Sequence, residues 1–155
     1  MQLPKRKRTR LKDFDYSQNG YYFITICTKD KEKLLCEIVW DDAHIVPSPY
    51  GVVIEKYIKS IVGIDKYVIM PNHIHLIIKI DSGTMWASSP TKSISQLIKS
   101  FKIIVTKEIG KPIFQRSFYD HIIRNENDYL KIWNYIDTNP MKWNEDCFYI
   151  KGDEK

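Results

Sequence analysis

Two runs of β-forming residues, Ile64 to Met70 and His73 to Ile80, are joined only by Pro71-Asn72. So short a connection leaves the two strands antiparallel neighbours, because a parallel return needs a crossover. Successive strand side chains point to opposite faces. His73, His75 and Ile77 therefore share one face, and Ile74, Leu76 and Ile78 the other. The second set suits a core, while the first presents two imidazoles side by side on a rigid strand. Such a pair is half of a metal site. It is equally the pattern of two strand histidines satisfied by ordinary neighbours, and on spacing alone the two readings stand level. Two of the chain's four histidines fall here, which moves the balance towards a metal.

The remaining pattern sets out the architecture. Tyr21 to Thr28 reads as a strand, and Leu34 to Trp40 as a second short strand or extended stretch. Pro47-Ser48-Pro49-Tyr50-Gly51 marks a break. Val52 to Val62 then reads as a helix, with Ile54, Ile58 and Ile61 on one face. Asp81 to Thr91 is a polar loop, expected to be mobile. Ser93 to Ile109 is a helix with Ile94, Leu97, Ile98, Phe101 and Val105 as its core stripe, broken at Gly110-Lys111-Pro112. Ile113 to Ile123 is expected as a last strand. The order β-α-β-β-α-β is that of an α+β, ferredoxin-like split βαβ fold, an antiparallel sheet with helices packed on one face. At 155 residues the chain is expected to form a single domain, 1–155, with no internal repeat.

A final helix begins near Asn125 or Asn127, either of which suits an N-cap, with acidic residues in the first turn. Tyr129, Trp133 and Ile136 fall at helical spacing and read as its buried stripe. Tyr135 and Asn139 are four residues apart and share a face displaced from that stripe. Pro140 ends the helix and disfavours α geometry at Asn139, which sets Asn139 in a last, distorted turn. A phenol and an amide oxygen then point together towards whatever the helix end approaches.

Charge is distributed unevenly. The formal net charge is +5, and Lys5-Arg6-Lys7-Arg8-Thr9-Arg10-Leu11-Lys12 forms a dense basic arm within a flexible segment 1–12. Alone it reads as a solvated tail; next to a site that acts on a polyanion, phosphate contact becomes the better reading. Cys27, Cys36 and Cys147 have no metal-ligand spacing and form no even set, so they read as free thiols in a reducing cytosol. No apolar run approaches a membrane span and no signal peptide opens the chain, so a cytoplasmic protein is expected.

Four blocks together carry a family resemblance. They are Arg10 to Thr28, Tyr67-Val68-Ile69-Met70-Pro71-Asn72-His73-Ile74-His75, Phe114 to Glu126, and Tyr135-Ile136-Asp137-Thr138-Asn139-Pro140-Met141-Lys142. In these the chain resembles the HUH single-tyrosine transposases, and among them the REP-associated tyrosine transposases, over most of its length. Where that family often has Trp-Gln-Arg, this chain has Phe114-Gln115-Arg116. The resemblance implies that His73, His75 and Asn139 bind a divalent metal, Mg²⁺ or Mn²⁺. It implies that Tyr135 is the nucleophile, cleaving and rejoining single-stranded or hairpin DNA through a 5′-phosphotyrosine intermediate. A palindromic repeat is the implied partner, with no small-molecule cofactor, and a monomer is favoured over a homodimer.

Other residues carry weaker signals. Lys5, Arg6, Lys7, Arg8, Arg10, Lys12 and Arg116 are candidate DNA contacts. Arg124, Lys99 and Lys102 are further cations that either contact phosphate or are simply solvated. His121 either helps at the phosphate or is a sheet residue paired to Asp120 or to backbone. Asn72 is either a hydrogen-bonding support for the histidine pair or a turn residue, and the turn reading is preferred. Tyr21, Tyr22 and Phe23 either stack bases or face the core; Trp86, in the polar loop, is the best stacking candidate. Two further functions remain open: a non-catalytic binder of structured nucleic acid, and a metal-dependent hydrolase that leaves Tyr135 unused.

Overall fold

The computed structural model describes residues 19–39, 44–81 and 92–145. The basic arm, Trp86, Cys147 and the tail lie outside the described residues. Strands β1 (Gly20–Cys27), β4 (Ile64–Met70), β5 (His73–Ile80) and β6 (Tyr119–Ile123) form one sheet in the order β4-β5-β1-β6, every neighbour antiparallel. Strands β2 (Cys36–Val39) and β3 (His44–Pro47) pair as a separate hairpin. Helices α1 (Pro49–Ile58), α2 (Ile94–Ile109) and α3 (Glu126–Thr138) complete the fold. With the hairpin set aside, the order is the split βαβ plan that the sequence pattern implies.

The period of two sorts the sheet into two faces. Tyr22, Ile24 and Ile26 of β1 and Ile74, Leu76, Ile78 and Ile80 of β5 lie in one cluster. Ile54 and Ile58 of α1 and Ile94, Ile98, Phe101 and Val105 of α2 complete it. Burying side chains of this size stabilises by roughly 1.5–3 kcal/mol each, so this face holds most of the core. The opposite face carries a smaller cluster of Val68, Met70, Ile77, Ile123, Ile136 and Trp143, with Tyr129 and Ile132 packed against it. Helix α3 therefore packs on the face that His73 and His75 share, away from α1 and α2.

Several elements differ from their expected bounds. Helix α1 starts at Pro49 and ends at Ile58, not Val52 to Val62. The Pro-Ser-Pro stretch is a helix start: Ser48 is the N-cap, its Oγ accepting from Gly51 N at 3.1 Å, and Pro49 takes the first helical position. Helix α2 has Ser93 outside it as the N-cap of a capping box with Gln96, and Gly110 closes it at φ 92°. The expected strand from Ile113 to Ile123 shortens to Tyr119–Ile123. Its first half makes only an isolated bridge, Phe114 to Thr28. The backbone there turns to a side chain instead: Lys102 Nζ donates to the carbonyls of Gln115, Arg116 and Ser117 at 2.9, 3.4 and 3.4 Å. Lys102 is thus engaged in holding that loop. Strand β3 was not expected; its Val46 and its partner's Val39 are exposed, so no clean alternation marked it. Cys27 and Cys36 are buried thiols in no disulfide, as expected. Among the described residues no helix is long and apolar enough to cross a membrane.

Candidate active site

Strand β5 and helix α3 bring His73, His75 and Tyr135 together. Strand β5 presents His73 and His75 on one face, their ring centroids 4.6 Å apart at 72°. Both rings are buried. Phe23, beside them on β1, stacks on His75 at 5.1 Å and 27°, and Trp143 lies 5.9 Å from His73. The pair thus sits in an aromatic enclosure, which lowers the local dielectric and strengthens any charge interaction inside it.

The first nitrogen of each ring is held. His73 Nδ1 lies 2.8 Å from Asn72 Oδ1, and His75 Nδ1 lies 2.8 Å from Thr25 Oγ1. Nε2 of both rings and Oδ1 of Asn139 are buried atoms that make no hydrogen bond within the described residues. Desolvation, and after it the neighbouring His73, holds the His75 imidazole well below its ordinary 6.5. His75 is therefore neutral at neutral pH, the form in which imidazole acts as a ligand. Two imidazoles and one amide oxygen suit a divalent cation that tolerates mixed nitrogen and oxygen donors. Among the described residues no group of three His, Cys, Asp or Glu could hold a metal. A cation held here would draw on two imidazole nitrogens and one amide oxygen.

Helix α3 supplies the rest. Its cap is Asn125, whose side chain accepts from Asp128 N at 2.8 Å. Tyr129, Ile132, Ile136 and Asn139 form its inner face, with Ile136 and Asn139 buried. Two expectations are corrected here. Trp133 is not on the buried stripe: it is 37% exposed, with Lys66 Nζ 3.7 Å above its ring. Asn139 is not displaced from the stripe but is its last member. At 100° per residue, Trp133 and Tyr135 fall about 80° to either side of the stripe's centre, so both lie at its edges. Tyr135 is 40% exposed, its ring 5.2 Å from His75 and 6.2 Å from Phe23. It stands at the border between the buried histidines and solvent. Asn139 keeps helical angles (φ −57°, ψ −44°) despite the following proline, and its N–H donates to Ile136 O at 3.3 Å. That tighter last turn runs on into a 3₁₀ segment, Pro140–Glu145, which carries Trp143 back to His73.

The remaining candidates divide. His121 is paired, though to Asp128 rather than Asp120 or backbone, at 2.8 Å, and it keeps the Asp128 carboxyl below its usual range. Asn72 occupies the turn, as preferred, but its side chain also reaches His73. Tyr22 is core; Tyr21 and Phe23 lie on the site face. Arg116 is exposed and lines a groove of about 490 Å³ with Lys29, Asp30, Lys31 and Gln115. Arg124 and Lys99 are exposed. Thr25 and Trp143 were not anticipated: the first is found only through the register Thr25↔His75, the second only through the 3₁₀ turn. Lys29 and Lys31 were also missed, standing in a turn between strands with no motif of their own.

Comparison with known proteins adds three findings. An uncharacterized protein of Haemophilus influenzae is 35% identical over 94% of this chain and 93% of its own length. A second H. influenzae protein, assigned by name to the REP-associated tyrosine transposases, is 27% identical over 83% of this chain and 74% of its own. A solved REP-associated tyrosine transposase, bound in that structure to a REP hairpin, shares the fold with a TM-score of 0.60. It is 24% identical and aligns with 91% of this chain and 74% of its own. No family model matches.

Proposed function

We propose, for a chain that belongs to the family of the REP-associated tyrosine transposases, that it is a DNA transposase cleaving and rejoining single-stranded or hairpin DNA through Tyr135. One observation carries the reading. Helix α3 places Tyr135 within 5.2 Å, ring to ring, of His75 and puts Asn139 on the same sheet face as the histidine pair.

His73, His75 and Asn139 are the residues that would hold a divalent cation, Mg²⁺ or Mn²⁺. Bound there, it would draw charge from a phosphate oxygen and make the phosphorus easier to attack. The protein's part is otherwise placement. The scissile phosphate approaches from the side of Tyr135, the exposed flank of the site. Tyr135 Oη attacks phosphorus, its bond to phosphorus forms, and the bond to the 3′ oxygen breaks. The phenol's proton passes to solvent and the leaving 3′ oxygen is protonated in turn. Because one phosphate ester replaces another, a 3′-hydroxyl can attack the phosphotyrosine and rejoin the strand. Phe23 and Trp143 flank the histidine rings, which are buried away from water.

Hairpin DNA is the proposed partner, by likeness to the transposase solved with its REP hairpin. Non-specific affinity is assigned to the arm from Lys5 to Lys12, with Arg116 adding a contact from the folded domain. The test is denaturing electrophoresis of labelled hairpin DNA with the protein, followed by peptide mapping. Wild type is expected to form an adduct that EDTA abolishes and Mn²⁺ or Mg²⁺ restores. Tyr135→Phe is expected to fold and bind DNA yet form none. A label mapped to another residue, or full activity of a His73→Ala, His75→Ala double variant, would overturn the reading.

A further inference from the structure

Asn72 stands at the turn between β4 and β5 with its side chain buried. Its Oδ1 lies 2.8 Å from His73 Nδ1, and its Nδ2 donates to Lys31 O at 3.4 Å. The second contact orients the first: with the amide nitrogen turned to a carbonyl, the amide oxygen faces the imidazole. An amide oxygen only accepts. The proton of a neutral His73 must then sit on Nδ1, and Nε2 is the nitrogen with the lone pair. The turn that carries Asn72 is itself clamped. Thr28 N donates to Asn72 O at 3.0 Å and Leu35 N to Pro71 O at 3.0 Å. Lys31, which receives the amide, is held at φ 53°, a left-handed backbone that non-glycine residues rarely adopt.

His75 is held differently at Nδ1. Its Nδ1 partner is the Thr25 hydroxyl, which can donate or accept. The two imidazoles are thus supported unequally, one by a one-way acceptor and one by a partner that serves either tautomer.

We propose that Asn72 is a positioning residue that fixes His73 in the Nδ1–H tautomer and so presents Nε2 to the site. The inference deepens the reading of this site and depends on its metal only for the second arm of the test. In the first arm, the His73 ring of the full-length, metal-free protein is assigned by ¹⁵N NMR among the four histidines. Wild type is expected to show the Nδ1–H pattern and Asn72→Ala a tautomer mixture. Asn72→Asp separates positioning from turn-building. It keeps an acceptor on His73 but sets a carboxylate oxygen against the Lys31 carbonyl. If Asn72 fixes the tautomer, Asn72→Asp keeps the wild-type pattern; if it only builds the turn, Asn72→Asp disturbs His73 as much as Asn72→Ala does. An Nε2–H tautomer in wild type, or an unchanged one in Asn72→Ala, would overturn the proposal. Should Asn72→Ala not fold, the wild-type and Asn72→Asp spectra still decide. In the second arm, calorimetry with Mn²⁺ is expected to show an affinity about 10- to 100-fold lower in Asn72→Ala, regained in Asn72→Asp. A wild type with the Nδ1–H tautomer that takes up no Mn²⁺ would uphold the role of Asn72 and defeat the metal reading alone.

Discussion

Tyr129 and Tyr135 stand on one helix and differ in what their hydroxyls can do. Tyr129 lies against the Tyr21 ring at 5.1 Å and donates to Asp65 Oδ2 at 2.5 Å. That carboxylate, with some burial, pushes the phenol up to about 12, so it keeps its proton and is a poor nucleophile. Its ring is half-buried rather than fully packed, which corrects the expectation of a core tyrosine. Tyr135 faces the histidines instead. Tyr129→Phe is therefore expected to keep adduct formation, with a stability loss within about 1 kcal/mol because the lost bond is solvent-exposed. Urea unfolding and the adduct assay measure the two effects; an adduct lost in Tyr129→Phe would reverse the assignment. At this scale the sequence shows only what a local period carries. His73 and His75 share a face because strand side chains alternate. Thr25 supports His75 from a neighbouring strand 50 residues away, and only register places it there.

Helices and turns show the same division. Period alone gave α2 its core stripe, since Ile94, Ile98, Phe101 and Val105 have a sheet face beneath them. In α3 the same rule pointed to Trp133, and the fold packs Ile132 instead. The choice fell to Ile132 because Lys66, bridged to Asp137 at 3.2 Å, lies over the Trp133 ring on the solvent side. The turn from Thr28 to Glu32 was legible only as a connection, and the segment from Ile113 to Gln115 only as the start of the expected last strand. Once paired through Lys29 N to Ile113 O at 2.9 Å and Gln115 N to Cys27 O at 2.8 Å, they wall the groove lined by Lys29, Lys31 and Arg116. Asn72 also bonds the Lys31 carbonyl, which ties that wall to the histidine end of β5. A nucleic-acid backbone in the groove would meet three cations and one carboxylate, Asp30. Arg116→Ala is expected to weaken DNA binding and to reduce the log–log salt slope by about 0.7 to 0.9. Fluorescence anisotropy of a labelled hairpin between low and moderate salt measures both. An unaltered slope would mean that Arg116 is merely solvated.

The sheet divides the whole molecule into a packing side and a chemical side. The split βαβ order was legible because each strand and helix has its own period, and α1 and α2 must cover the face that Ile74, Leu76 and Ile78 share. The position of α3 was not legible in the same way, since it follows the last strand with no further strand to fix its return. What fixes it is the smaller cluster, where Ile136 packs with Val68, Met70 and Ile77 beside the histidines. This makes the two sides separable by experiment. Ile136→Ala and Ile98→Ala each remove a buried branched side chain and are each expected to cost about 2 to 5 kcal/mol. Ile136 lies next to Tyr135 on the helix that brings it to His75. A cavity there loosens the only element that carries the phenol. Ile98 lies on α2, across the sheet from the site. With adduct rates measured on the folded fraction, at a temperature where both variants remain mostly native, Ile136→Ala is expected to react at least tenfold more slowly than Ile98→Ala. Misplacing a reacting group by about an ångström has effects of that order or larger. Urea unfolding curves and single-turnover adduct formation supply the two quantities. Equal rates in the two variants would show that α3 does not hold Tyr135 in place, and that some other part of the chain brings the nucleophile to the phosphate.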